Sequence, residues 1–264
     1  MKSRCCAMLL LIAAIAAAFS GTAFGETVVF RSSEIMVDTK PPMLTGELVR
    51  PAGEGPFPAV VLLHPCSGIN RGLKEWADAF VNWGYAALIV DSFGPRGIKE
   101  VCTDASLSLS YSSKRAQDAY DARAYLASLS FIDSGRIAVI GWSHGAWTVL
   151  EVLRREAKNP FQAAIAFYPY CDLIRNLNAP VLILIGNLDD WTPAALCRKS
   201  VAAQESGPEI ALKVYPEAHH GFDIQGADII RKGARGISHR IKYDKEAAAD
   251  ARVQVKGFLE KYLK

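Results

Sequence analysis

The chain has no run of five like charges, no Cys-x-x-Cys pair, and no uninterrupted apolar stretch of the roughly 20 residues that cross a bilayer as a helix. The first absence removes the basic tail common among nucleic-acid binders, and the second argues against a thiolate zinc site. The third argues against a membrane span. With 30 basic and 27 acidic residues, neither a nucleic acid nor another acidic partner is implied. No repeat of 20 to 50 residues and no low-complexity linker interrupts the sequence. Histidines number only five, so every candidate base can be weighed by name.

What is present begins with an unusual leader. Lys2 and Arg4 precede 13 apolar residues, Ala7 to Phe19, and Ala23-Phe24-Gly25 offers the small residues a signal peptidase needs. Residues 1–25 are therefore expected to be a signal peptide and residues 26–264 a single domain, secreted or periplasmic, with no stable membrane anchor after cleavage. Cys5 and Cys6 leave with the peptide, and losing Lys2 and Arg4 brings the charge close to neutral. The remaining cysteines, Cys66, Cys102, Cys171 and Cys197, would then meet an oxidising compartment. Four cysteines allow three pairings, and spacing alone chooses none of them.

At 50% hydrophobic residues, the mature length can bury one large core. Two antiparallel strands are predicted near Thr27 to Val37 and Leu44 to Arg50, broken by Pro41-Pro42. "FPAVVLLH" (57–64) and "YAALIVD" (85–91) are short continuous apolar runs, the mark of strands covered on both faces. Between them a helix is predicted over Leu73 to Trp83, ended by Gly84. Downstream the alternation continues: a helix near Ser112 to Leu129, "RIAVIG", another helix, "AAIAFYP", "PVLILIG", a helix near Pro193 to Glu205, "ALKVYP", and a helix near Lys245 to Leu263. The expected fold is α/β, a mostly parallel sheet with antiparallel N-terminal strands and helices on both faces. Ligands in such sheets bind beyond the carboxyl ends of the strands.

Three segments carry chemistry at those ends. "GWSHG" (141–145) sits between an apolar strand and a helix, where a sharp turn lifts Ser143 above the sheet edge. A serine hydroxyl needs a base, and the base needs a carboxylate to fix its tautomer. "YPEAHHGFD" supplies His219 and His220, and "GNLDDW" supplies Asp189 and Asp190. The order Ser, Asp, His is that of a nucleophile elbow, whereas a turn or N-cap serine would need neither partner. An oxyanion requires two pre-aimed backbone donors. The N–H of His144 is one, and the loop "HPCSGIN" offers the other at Cys66, with Ser67 as the alternative. His64 reads as a strand-end histidine bonded to backbone. Phe93, Trp142, Tyr168, Tyr170 and Trp191 are candidates to line a substrate pocket.

On "HPCSG", "DSFGPRG" (91–97), "GWSHGA", Gly186-x-x-Asp189 with Pro193, and "YPEAHHGF", the chain resembles the dienelactone hydrolase family of the α/β-hydrolase fold from about Val37 onward. The resemblance selects Asp189 over Asp190 and His220 over His219. It places Arg96 near one of two positions where family members look to hold a substrate carboxylate, with Ile224 at the other. Family enzymes carry cysteine where this chain has Ser143, so the resemblance implies an ester or lactone substrate without carrying over the dienelactone itself. It also favours pairing Cys171 with Cys197 and Cys66 with Cys102.

The expectation is a serine hydrolase acting on a small-molecule carboxylic ester or lactone through an acyl-enzyme. Its catalytic residues would be Ser143, Asp189 and His220, its oxyanion donors His144 and Cys66, and its substrate contacts Arg96, Trp142 and Trp191, with no metal and no cofactor needed. A serine peptidase of the prolyl oligopeptidase kind is the alternative among enzymes, although the chain lacks the length for a propeller domain. A non-catalytic binding protein is the alternative outside them.

Overall fold

The protein is described by a computed structural model covering residues 24–33, 41–172 and 174–264. Most of the expected signal peptide lies outside the described residues, as do residues 34–37 of the first predicted strand; Phe24 and Gly25 open that strand instead. The strands are β1 (Phe24–Arg31), β2 (Met43–Arg50), β3 (Phe57–Leu63), β4 (Ala86–Asp91), β5 (Ile132–Trp142), β6 (Ala163–Phe167), β7 (Val181–Gly186), β8 (Ile210–Tyr215), β9 (Asp228–Lys232) and β10 (Ser238–Lys242). The helices are α1 (Arg71–Asn82), α2 (Ala105–Ala127), α3 (His144–Leu153), α4 (Ala194–Ala202) and α5 (Lys245–Tyr262).

Eight strands form one sheet in the order β1-β2-β4-β3-β5-β6-β7-β8. β1 pairs antiparallel with β2 and β2 antiparallel with β4, while β4 through β8 run parallel, the mostly parallel arrangement expected from the alternation and the one that the resemblance to the α/β-hydrolase fold implies. The continuous apolar runs behave as buried central strands must: Ala59 to Leu63, Ile137 to Ile140 and Ala163 to Phe167 have no solvent exposure. No helix among the described residues is long and apolar enough to cross a membrane.

Helix boundaries follow caps that periodicity does not reveal. Asn70 Oδ1 accepts the Leu73 N–H and starts α1 two residues before its predicted beginning. Asp104 Oδ1 accepts the Leu107 N–H, so α2 begins seven residues before Ser112. A hairpin of β9 and β10 was not read from the sequence at all. It docks beside the site through a bridge between Ile241 and His220, and the Lys242 N–H donates to the His220 carbonyl at 3.1 Å. Cys66 is bonded to Cys102, and Cys171 to Cys197.

Candidate active site

Ser143 stands at the turn from β5 into α3 with φ 54° and ψ −117°, a left-handed backbone that a non-glycine residue holds only when its surroundings enforce it. The flanking glycines are what enforce it. A Cβ on Gly141 would overlap the Gly145 carbonyl, and a Cβ on Gly145 would overlap the carbonyl of Leu63 at the end of β3. The turn is therefore closed on itself and pressed against the neighbouring strand. The Ser143 N–H donates to the Phe167 carbonyl at 2.9 Å, tying the turn to β6 as well.

The candidate acid and base arrive from the loops after β7 and β8. His220 Nε2 lies 3.0 Å from Ser143 Oγ, and His220 Nδ1 lies 2.8 Å from Asp189 Oδ2. Asp189 Oδ1 also accepts the N–H groups of Trp191 at 2.9 Å and Thr192 at 2.8 Å, while the Thr192 hydroxyl is 2.9 Å from Oδ2. Burial alone would raise this carboxyl; the His220 imidazole and the Thr192 donors outweigh it and hold Asp189 below the usual carboxylate range. Such a set fixes the proton of His220 on Nδ1 and leaves Nε2 to accept from a hydroxyl. Gly186 lets the two supporting loops meet, because a Cβ there would overlap the Ala218 carbonyl. Asp190 and His219, the unselected neighbours, do not join this chain of bonds: Asp190 instead accepts the Arg240 N–H from the hairpin.

The donors expected for an oxyanion flank Ser143. The N–H of His144 begins α3, in the first turn, where no intrahelical acceptor exists. Cys66 lines the same cavity wall as Ser143. A group invisible to the sequence reading links the two segments: the fully buried Arg115 of α2 donates from Nη2 to the His64 carbonyl and from Nη1 to His144 Nδ1, each at 2.5 Å. Since a guanidinium only donates, His144 must carry its proton on Nε2, which faces the Ser108 carbonyl at 2.8 Å. His64 behaves as expected of a backbone-bonded histidine, with Nδ1 2.8 Å from the Pro65 carbonyl.

Burial, with Arg115 second, lowers His144 to about 3, and the same two causes hold His64 well below its ordinary value. Both are therefore neutral in the folded protein through mild acid. Between about pH 6.5, where an unfolded histidine titrates, and pH 3, the unfolded chain binds protons that the folded chain refuses. Stability is then fully present above that window and falls as pH is lowered through it. We expect urea midpoints to drop between pH 7 and pH 5, and to drop less for His144→Asn; equal slopes in both proteins would refute this origin.

Two lobes of about 270 Å³ each meet at Cys66, Ser143 and Trp191. One runs between α1, the elbow and the hairpin, past Trp142, Tyr168 and Ile241. The other runs past the Cys66–Cys102 bridge, Ser108, Trp147 and Tyr170. Trp191 stacks on His239 with ring centroids 4.7 Å apart and also meets the His220 ring at 5.2 Å. Trp142 lines the first of these lobes and Trp191 lines both.

Arg96 lines neither. Its guanidinium is bound through both terminal nitrogens to Asp118 of α2, at 2.8 and 3.0 Å, and donates to the Ser92 carbonyl at 2.8 Å. With the carboxylate fully buried, releasing Arg96 to a substrate would strand a charge, so the pair is structural and the expected substrate contact is corrected. Phe93 is likewise packed against His64 and beneath the Arg115 guanidinium, outside both lobes. Asp223 was missed. Oδ2 accepts the indole N–H groups of Trp76 at 2.8 Å and Trp142 at 2.9 Å, and Oδ1 accepts the Tyr168 hydroxyl at 2.7 Å. Its position three residues past His220 was the available signal.

The family model described as dienelactone hydrolase family matches residues 44–263. A Methylorubrum extorquens protein named as a carboxymethylenebutenolidase is 24% identical over 215 residues, 72% of each chain. A Bradyrhizobium protein named as a 2-oxo-3-(5-oxofuran-2-ylidene)propanoate lactonase is 22% identical over 203 residues, 70% of this chain and 81% of its own. Among solved structures, a Klebsiella pneumoniae protein assigned as a dienelactone hydrolase superposes with a TM-score of 0.71 at 19% identity, covering 92% of this chain and all of its own, which shows a shared fold.

Proposed function

Because this chain belongs to the dienelactone hydrolase family, a family of ester and lactone hydrolases, we propose that it is a serine hydrolase working through an acyl-enzyme intermediate. The observation that carries the reading is the unbroken set of contacts from Ser143 Oγ to His220 Nε2 at 3.0 Å and from His220 Nδ1 to Asp189 Oδ2 at 2.8 Å. In the proposed cycle His220 takes the Ser143 proton as Oγ attacks the substrate carbonyl, and Asp189 stabilises the resulting imidazolium. The N–H groups of His144 and Cys66 receive the developing oxyanion. Collapse expels the alkoxide, which takes the proton back from His220. Water then repeats the sequence on the acyl-enzyme and frees Ser143.

The substrate would be a small ester or lactone, as the names of the two relatives suggest. Each lobe offers about 270 Å³, room for a small molecule with substituents on each side of its carbonyl. We read residues 1–25 as a signal peptide and 26–264 as one domain exported to an oxidising compartment; the two disulfides support that placement.

A panel of p-nitrophenyl esters, lactones and peptide amides tests the reaction class, with turnover expected on the first two. The doubled residues test the assignment. His220→Ala should lower kcat by roughly 10³-fold or more, whereas His219→Ala should stay within about threefold of wild type. The reverse pattern would move the base by one residue.

A further inference from the structure

We propose that Asp223 is a specificity-determining residue, anchoring a hydroxyl or ammonium group of the substrate portion that fills the lobe between α1, the elbow and the hairpin. The inference rests on the hydrolase reading above and adds the chemistry of the substrate's far end.

A carboxylate offers about four acceptor sites, and Asp223 spends three within the protein: two on Oδ2, to Trp76 and Trp142, and one on Oδ1, to Tyr168. No other described residue takes the fourth site, on Oδ1; only the backbone N–H of Asp223 itself lies near the carboxylate. Asp223 also lines the lobe and is partly exposed, so that site can be reached by a bound molecule. Its three partners come from α1, the end of β5 and the end of β6, and each is a rigid aromatic that holds the carboxylate in one orientation. The indole groups can only donate, which leaves Oδ2 unprotonated and an acceptor.

The rest of the lobe makes this acceptor stand out. Its walls are largely apolar, including Leu73, Trp142, Ile224 and Ile241. Two cations line it, but Arg71 engages Glu75 at 2.7 Å with its side chain 89% exposed, and Arg231 lies on the hairpin strand β9. Burial raises the Asp223 carboxyl above its usual range while the Tyr168, Trp76 and Trp142 donors pull the other way; a donor group reaching Oδ1 gains a hydrogen bond to a fixed acceptor among apolar walls. A carboxylate set against Asp223 itself would face acceptor oxygens and find no donor beside them, since the Tyr168 hydroxyl and both indoles are already committed.

The test uses two matched series with the mature protein. The first is p-nitrophenyl esters of acids ending in methyl, ammonium or carboxylate. The second is acetate esters of alcohols ending in methyl, hydroxyl or carboxylate. In one of the two, the donor-ended substrate should exceed the methyl-ended one in kcat/KM by roughly 10-fold or more, mostly through KM, with the carboxylate-ended one lowest. Asp223→Asn can keep its packing, because the amide oxygen can accept both indoles while the amide nitrogen donates to Tyr168. It presents a donor where the acceptor was, so the donor preference should fall to about onefold or below.

A donor preference absent from both series, or one that survives Asp223→Asn unchanged, overturns the proposal. Should the variant fail to fold, the wild-type order decides alone, and any order other than donor, methyl, carboxylate overturns it. Labelling of the wild type by a fluorophosphonate separates the two readings. Unlabelled protein without turnover removes the hydrolase itself, whereas labelled, active protein without the preference removes only the role of Asp223.

Discussion

Ser143→Ala should abolish turnover of every ester that the wild type hydrolyses, by roughly 10⁴-fold or more, while leaving the unfolding free energy from urea titration within about 0.5 kcal/mol of wild type. The loss is large because the serine, the histidine and the acid act as one unit: with Oγ gone, His220 Nε2 has no proton to take. Stability should hold because Oγ has one side-chain partner, His220, and the turn is fixed by backbone contacts instead. Alanine also relieves nothing at φ 54°, so the strain of the turn is unchanged. A fluorophosphonate should label the wild type at Ser143 and leave the variant untouched. Labelling of Ser143→Ala, or activity within about tenfold of wild type, would place the nucleophile elsewhere.

Gly145→Ala should damage the fold as well as the chemistry. The added methyl would overlap the carbonyls of both Leu63 and His64, and backbone cannot step aside as a side chain can. Either β3 or α3 must move, and β3 is paired on both sides, by β4 and β5. We expect a loss of about 3 kcal/mol, the upper end of ordinary overpacking, together with near-complete loss of turnover. The two losses share a cause: the approach of Gly145 to Leu63 and His64 presses the turn that carries Ser143 and His144 against the strand end that leads to Cys66. Urea denaturation and ester hydrolysis read them separately. A stable, active Gly145→Ala protein would mean that the elbow is looser than its contacts imply.

The parts of the site that were legible in the sequence are those governed by local rules. "GWSHG" between a strand and a helix, "GNLDD" after the next-but-one strand and "EAHHG" after the last strand of the large sheet all announce themselves by spacing and composition. The central strands were equally plain, because a strand covered on both faces must be apolar throughout, as "VVLL" and "IAVI" are. What escaped depends on contacts between distant residues. Arg115 is 51 residues from His64 and 29 from His144, and nothing in "SKRAQ" says that its guanidinium is buried. Arg96 looked available because its partner, Asp118, lies 22 residues away on a helix whose start was misjudged. The hairpin β9–β10 was lost for another reason. "DIIRKGARGISHRIK" is a two-stranded ribbon with polar and apolar residues mixed, and its strands are fixed by docking on Asp190 and His220 more than by pattern.

The Cys66–Cys102 bridge has a practical side. The segment after β3 is held by that bond, by the Val101 N–H on the Cys66 carbonyl, and by Arg115 on the His64 carbonyl two residues upstream. None of the three touches Ser143, His220 or Asp189. Material produced in a reducing cytosol would keep its nucleophile, base and acid aligned yet lose one of the three fastenings on the segment beside them. Host choice thus becomes an experimental variable, and the periplasm of the expression strain, or oxidative refolding, is where an activity screen for this chain should begin.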